Sequence, residues 1–377
     1  MSQSVAIYIH FPFCRRKCDY CSFVSYQGYE AYFPTYVSAL KKELAARVTG
    51  QKVSSIYLGG GTPSILPSEQ IEDILRAVFS LFAVKDDAEI TIEANPGTVD
   101  ESYLAALRAI GINRLSLGVQ SFNDNDLAML GRIHNASEAK EAVKNIRKAG
   151  FTNLNLDLLY GLPYQNLSGW RDTLSQAIDL NPEHLSLYPL SLEGSEPMYL
   201  SIGRGEIPAL DPDQSADQYE LATDLLKEHG YSHYEISNWA KKGYECRHNI
   251  RYWRSKPYIG VGVAAHSCLN SHRMANTSDI EKYLDAFLCS MPIVRDQNDD
   301  IESETLLSET VIMGLRLSDG VSLDEIYNQF NIDLLETFGN QISELTGLGL
   351  MECIDGNIKL THRGRLLGNE VFCQFIP

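Results

Sequence analysis

The chain has 377 residues, 44% hydrophobic and 21% charged, with a formal charge of −17, enough for one large domain or two with a substantial core. The acidic balance excludes a general nucleic-acid binder, whose affinity rests on Lys and Arg neutralising phosphates, and no apolar run reaches the length of a transmembrane segment. Met1 to Phe13 has no Lys or Arg before its apolar stretch and Arg15, Arg16 and Lys17 after it, the wrong order for a secretory signal, so a cytoplasmic location with reduced thiols is expected.

Up to about residue 230, β-rich runs alternate with amphipathic helical stretches. Strands are predicted at Val5–His10, Val53–Leu58, Glu89–Glu93, Arg114–Gly118, Asn153–Leu159 and His184–Leu187. Helical spacing falls between them, at Glu30–Val48, Ser68–Phe82, Asp100–Ile110, Ser137–Ala149 and Leu167–Leu180. This rhythm predicts an α/β fold, a parallel sheet closing into a partial (β/α)6 barrel of the TIM type. The unusual polar residues follow the strand ends: a cysteine loop after the first, Gly59 to Pro63 after the second, Glu93 ending the third and Gln120 following the fourth. Asp157 and Tyr188 belong to the ends of the fifth and sixth. In a parallel barrel these ends share one rim, where active sites are built. Taken alone, Asp157 reads better as a capped or hydrogen-bonded core carboxylate; the coincidence across six strands argues for a site.

A segment over residues 231–292 is expected to pack on the barrel, whose own extent is residues 1–230. From 293 to 377 the pattern changes: helices at Glu304–Leu315, Ser322–Phe330 and Asp333–Leu345, then a hairpin over Leu350–Leu360 turning at Asp355-Gly356, and a last helix after Thr361. This predicts an α+β unit shaped like a winged helix. Residues 291–377 carry five Lys or Arg against fifteen Asp or Glu, so a packing or partner module is expected there rather than a DNA reader.

Cys14, Cys18 and Cys21 sit within eight residues, while the other cysteines are scattered. Three local thiolates can hold three irons of a 4Fe-4S cube and leave the fourth open to a small molecule, whereas electron-transfer clusters and structural zinc use four closed ligands. Phe23 stands where a further local cysteine could have come. A zinc knuckle completed by His10 or a distant cysteine, or three unrelated thiols, are the alternatives.

Tyr8-Ile9-His10-Phe11-Pro12-Phe13-Cys14, the three-cysteine spacing and Gly59-Gly60-Gly61-Thr62-Pro63 resemble the radical S-adenosylmethionine superfamily, in the branch containing oxygen-independent coproporphyrinogen III dehydrogenase. The likeness covers almost the whole chain. It implies a 4Fe-4S cluster on Cys14, Cys18 and Cys21, whose open iron is chelated by the methionine moiety of S-adenosylmethionine and whose electron can split the sulfonium. It further implies a cofactor pocket of Gly60, Gly61, Thr62, Glu93, Gln120, Arg132 and Asp157, with Tyr8 and Tyr20 flanking cluster and cofactor. The glycines suit this because backbone can approach a zwitterion unobstructed, and the carboxylates suit ribose hydroxyls and tolerate a sulfonium. The catalytic dehydrogenases carry a longer segment before the motif and a fourth Cys two residues past the third. Phe23 and a motif beginning at Tyr8 depart from that pattern, which puts decarboxylation in doubt and leaves the chain's standing as an enzyme open.

Cys246-Arg247-His248-Asn249-Ile250-Arg251-Tyr252-Trp253 contains His-Asn-x-x-Tyr-Trp, which resembles the signature of the HemW family, the haem chaperones of this branch. By that resemblance His248 is a candidate axial ligand for haem iron, with Tyr252 and Trp253 against the porphyrin. Arg247, Arg251, Arg254 and Lys256 would pair with the propionates, and a solvated basic loop is the plain alternative for them. A structural histidine is the alternative for His248, and His266 is a less favoured ligand. The chain has no Cys-x-x-Cys-His, though Cys246 leaves another covalent route open. The expected function is haem binding and transfer to acceptor haemoproteins, with an acidic electron donor and a homodimer as further expected partners. The rivals are a radical enzyme acting on a tetrapyrrole and an inactive redox-sensing scaffold.

Overall fold

The computed structural model describes residues 4–48, 50–194, 196–289 and 291–376. Six strands, Val5–Phe11, Lys52–Gly60, Ala83–Ala94, Arg114–Gln120, Leu154–Tyr160 and His184–Pro189, lie side by side in chain order with every neighbouring pair parallel. Helices Phe33–Ala46, Ser68–Leu81, Glu101–Ala109, Ala136–Lys148 and Leu167–Asp179 cross between them, as parallel neighbours require. This is the α/β partial barrel that the alternating pattern predicts. The third strand begins six residues before its predicted start at Glu89, because Ala83 and Val84 pair with Lys52 and Val53 across a register shift. Polar Lys85-Asp86-Asp87 hides that extension from a hydrophobicity pattern.

The strands alternate in a consistent sense. Ile7, Ile9, Ile56, Leu58, Ile92, Leu115, Leu117, Leu156, Leu185 and Leu187 are fully buried in the main core, which also takes Leu40, Ile71, Leu104, Ile146 and Leu174 from the crossing helices. Burying each such side chain contributes about 1.5–3 kcal/mol. The intervening positions are polar. Tyr57, Glu93, Arg114, Ser116, Asn155, Asp157 and Ser186 line one cavity of about 380 Å³. Barrel interiors of this type are ordinarily filled with branched apolar residues; here the inner face is kept open for polar contacts.

Residues after the sixth strand extend the sheet at both edges. Asn238–Ala240 and then Ser232–Glu235 add antiparallel strands outside the sixth. Tyr258–Val261 pairs parallel with the first strand, followed by His266–Leu269, His272–Asn276 and Arg295–Asp300, which completes a sheet of 12 strands. A long helix over Pro212–Glu228, outside the predicted set, starts with Asp211 accepting from Asp213 and Gln214 amides and with proline at its first position.

The C-terminal part has its own small core, including Leu307, Val311, Leu345, Ile358 and Phe375. Helices Ser303–Gly314, Leu323–Phe330 and Leu334–Gly347 accompany a three-stranded sheet ordered Val321–Ser322, Asn357–Leu360, Met351–Ile354. Asp355 and Gly356 turn the hairpin with φ of 51° and 75°, the left-handed pair that a type I′ turn needs. This is the winged-helix-like α+β unit expected.

Candidate functional site

The C-terminal ends of the second to sixth strands, with the loop after the first, form the cavity mouth. Cys14, Cys18 and Cys21 line it together with Tyr20, Gly60, Gly61, Thr62, Glu93, Gln120, Arg132 and Asp157. One hydrogen-bonded chain ties two of the sulfurs to the sheet. Thr62 Oγ1 donates to Cys14 Sγ at 3.6 Å, and Asn95 Nδ2 donates to Thr62 Oγ1 at 2.9 Å. Arg132 donates to Asn95 Oδ1, to the Gly118 carbonyl at 2.6 Å and to Cys18 Sγ at 3.5 Å. Its Nε–H is buried without a hydrogen-bond partner. Burial pushes the Cys14 and Cys21 thiols up, so holding them as thiolates requires compensating cations such as bound metal.

The other side of the mouth is acidic. Glu93 accepts from the Tyr57 hydroxyl at 2.8 Å and from the Gly60 amide at 3.0 Å. Burial first, then the neighbouring Asp157 carboxylate, push Glu93 up to about 7. Asp157 accepts from Ser116 Oγ at 3.0 Å and Asn155 Nδ2 at 2.8 Å, and burial raises it too. Gln120 sits at the fourth strand's end with φ of 69°, beside a register shift between Gly118 and Gln120; this bulge aims its side chain into the cavity. Gly60 has φ of 110° and a Cβ there would strike the His10 ring, while one on Gly61 would lie 2.6 Å from the Phe13 carbonyl. The glycine turn is therefore a backbone cradle that no other residue type fits.

These features fit the group that the cysteine spacing implies. Three thiols line one cavity, donors reach two sulfurs, Arg132 keeps an unpartnered Nε–H, and Arg132, Glu93 and Asp157 line the space beside them. His10 takes no part, since its ring nitrogens meet the Tyr8 hydroxyl at 3.0 Å and the Val24 carbonyl at 3.2 Å. Among the described residues, no three His, Cys, Asp or Glu side chains are already gathered as a site for a metal ion. Tyr8 does not line the cavity: its ring lies 6.1 Å from that of Tyr57 and 6.5 Å from that of His248.

The floor is closed by the helix Arg247–Trp253. Its start is pinned by Glu89, which accepts from the amides of Arg247 and His248, both at 3.1 Å, and from Cys246 Sγ at 3.6 Å. Asn249 lines the cavity. His248 is buried beneath it, Nδ1 3.0 Å from Ser55 Oγ and Nε2 2.9 Å from the Tyr252 hydroxyl. Burial, then Arg251, lower it to about 3, so the imidazole is neutral. Trp253 lies under the Arg316 guanidinium, 4.4 Å from its ring centre. The basic island is engaged as well: Arg247 pairs with Asp87, Arg254 with Asp319, and Arg251 donates to the Ser4 and Pro257 carbonyls. Cys246 is fully buried and pushed up to about 12, first by burial, which leaves no reactive thiolate for a covalent route. His266 is exposed on an outer strand.

The sequence matches the Radical SAM superfamily over residues 8–177 and the HemN C-terminal domain over residues 301–367. The heme chaperone HemW of Bacillus subtilis is 34% identical over 373 residues, covering 98% of each chain. The chain belongs to the HemW family. The HemW of Escherichia coli is 43% identical over 269 residues, covering 70% of this chain and 69% of its own. Among solved structures, the coproporphyrinogen III oxidase HemN of Escherichia coli, described as a radical SAM enzyme, superposes with a TM-score of 0.85 at 25% identity, over 99% of this chain and 90% of that one. The superfamily implies a 4Fe-4S cluster and S-adenosylmethionine for this HemW-family chain. Among the described residues no helix is long and apolar enough to cross a membrane.

Sequence reasoning missed Tyr57, Asn95, Arg114, Asn155 and Asn249 as cavity residues. For Tyr57, Arg114 and Asn155 the signal was present in the strands, where these polar residues alternate with buried apolar ones; Asn95 and Asn249 lie outside the strands.

Proposed function

We propose that the chain is a haem chaperone, which binds haem and hands it to acceptor haemoproteins in the cytoplasm. The observation that carries this reading is the His-Asn-x-x-Tyr-Trp helix closing the floor of the barrel whose mouth gathers the three cysteines, with Asn249 reaching the shared cavity. Cys14, Cys18 and Cys21 hold the 4Fe-4S cluster. Tyr20, Gly60, Gly61, Thr62, Glu93, Gln120, Arg132 and Asp157 hold exchangeable S-adenosylmethionine, with Tyr8 supporting them from behind through His10 and Tyr57. When bound, the cluster supplies a redox-active centre with a ligand-exchangeable iron. The chain's own residues then orient the methionine group on the glycine cradle, place Glu93 and Asp157 against positive charge, and screen the sulfurs with Arg132 and Thr62.

His248 is the axial haem ligand in this reading, with Tyr252 and Trp253 beside the porphyrin. Because Ser55 and Tyr252 occupy both ring nitrogens, haem binds a state in which the floor helix has released the ring. The segment 231–292 is then a haem-responsive unit joined to both edges of the barrel sheet, and a second copy and an acidic reductant complete the transfer complex.

Titrating haemin into the reconstituted protein tests this. A saturable Soret band that His248→Ala weakens supports the assignment; an unchanged band in the variant removes His248 as the ligand. Turnover of coproporphyrinogen III with S-adenosylmethionine and a reductant, on the same sample, would instead favour an enzyme. Phe23, 63% exposed at the mouth, supplies no fourth thiol there, and no turnover is expected.

A further inference from the structure

Beneath the layer formed by Glu93, Ser116 and Asp157, the barrel holds a second polar layer that the proposed cofactor residues do not use. Thr91 and Arg114 are directly paired across the third and fourth strands, two residues below the pair Glu93 and Ser116. That places them roughly 6–7 Å deeper, on the same inward face. Thr91 is fully buried and Arg114 is 2% exposed. The Arg114 Nε–H and the Thr91 hydroxyl have no hydrogen-bond partner, although Arg114 lines the cavity with Asn155 and Asn249. A buried guanidinium short of partners is rare and costly, and each such group calls for a ligand, an ion or ordered water.

No surrounding group hydrogen-bonds the guanidinium Nε, although the Glu89 carboxylate lies near enough to balance its charge. Glu89 is spent on the amides of Arg247 and His248 and on Cys246. Glu93 is held by Tyr57 and Gly60, and Asn155 binds Ser116, Asp157, His184 and Ser186. The helix Arg247–Trp253 seals the space from below.

We infer that the barrel floor is a binding site for a small carboxylate, with Arg114 as its anchoring cation and the Asn249 amide at its side. A guanidinium fork matches a carboxylate in two parallel hydrogen bonds. Two carboxylates overhead exclude a multiply charged anion. Arg114 and Asn249 line the same cavity of about 380 Å³ as the mouth residues, so S-adenosylmethionine bound at the mouth would limit the ligand below it to a small acid. The site gives the protein a second ligand stacked under the cofactor, with access controlled by the mouth.

Formate is the probe, titrated calorimetrically into the cluster-reconstituted protein. Saturable binding is expected at one site per chain, at least tenfold weaker in Arg114→Gln and several-fold weaker in Asn249→Ala. Arg114→Lys keeps the charge without the fork and should also bind less tightly, which keeps the test decisive if Arg114→Gln fails to fold. Absence of formate binding in the native protein, or wild-type affinity in both Asn249→Ala and Arg114→Lys, overturns the site. The inference rests on the cofactor reading only for its size limit. S-adenosylmethionine binding is measured in parallel, and its loss in Glu93→Gln with formate affinity intact leaves the floor site standing.

Discussion

The two ends of the barrel are built on opposite rules. At the mouth the three cysteines are only half-buried, Arg132 keeps an unpaired N–H, and the backbone bends through left-handed positions at Gly60 and Gln120. Donors and acceptors there are already aimed at the cavity, so ligands can exchange without rearranging the wall, and pre-organisation lowers the cost of binding. At the floor beneath Asn249, His248 has partners on both ring nitrogens and Glu89 serves three donors from one turn of helix. Nothing enters at His248 unless that helix first lets go. One fold therefore carries an exchange end and a gated end.

The largest effect should come from removing a cysteine. Cys18→Ala deletes one of three local ligands and the acceptor of Arg132, and iron and sulfide per chain should fall close to zero after anaerobic reconstitution. His248→Ala should leave both unchanged. Cluster loss in the histidine variant would break the separation of the two ends. Next comes Arg132→Met, which strips donors from Asn95, Gly118 and Cys18 at once. Hydrogen bonds to charged groups are worth about 1.5–3 kcal/mol each, so denaturant unfolding should show a loss of about 3 kcal/mol together with weaker S-adenosylmethionine binding. A loss of stability with cofactor affinity unchanged would make Arg132 structural only.

The two ends should also respond to pH in opposite directions. Glu93 rises from 4.5 to about 7 on folding, so between those values the folded chain holds a proton that the unfolded chain has released. Its contribution to stability is fully present below pH 4.5 and is lost as pH rises through about 7. Glu93→Gln, which cannot ionise, should melt above the wild type at pH 8, by at most about 3 kcal/mol, and the difference should fade by about pH 4.5. His248 is lowered from 6.5 to about 3, so its contribution is present above pH 6.5 and drains away as pH falls toward 3. Thermal melts of both variants across this range check the pair; a Glu93→Gln advantage that grows toward acid would reverse the mouth assignment.

How much of this was legible in the chain follows the same division. Much of the mouth could be read because Gly60, Gly61, Thr62, Glu93, Gln120 and Asp157 come at or just after strand ends within short motifs that resemble a known family, whereas Asn95 carried no such signal. Even the helix Ala136–Lys148 announced itself, since Asn135 and Glu138 form a capping box. The floor could not be read in the same way. Its contacts join Ser55 to His248 and Glu89 to Arg247, separated by 193 and 158 residues, and neither pair leaves a local pattern. Tyr258–Val261 is too short to stand out as a strand, yet its parallel pairing with Val5–Phe11 brings the basic island back under the barrel. Neither propionate pairing nor a solvated loop foresaw the partners of the basic residues, since Asp87, Asp319 and the Ser4 carbonyl come from elsewhere in the chain.

The smallest effect bears most directly on gating. Tyr252→Phe and Ser55→Ala each remove one hydrogen bond from the His248 ring while leaving the imidazole in place. Each bond is worth about 1 kcal/mol net, which raises the fraction of chains with a released ring about fivefold if opening is the rarer state. Haem uptake followed by stopped-flow absorbance should then speed up by about that factor in either variant, at a cost of about 1 kcal/mol in global stability. A gate behaves in this way: loosening it accelerates entry, whereas a variant that damages a preformed pocket slows it. Faster uptake in both variants combined with weak binding in His248→Ala would place the ligand behind the gate. Unchanged uptake in both would mean that haem reaches the protein by a surface other than the floor, and the contrast between an exchange end and a gated end would then describe stability alone.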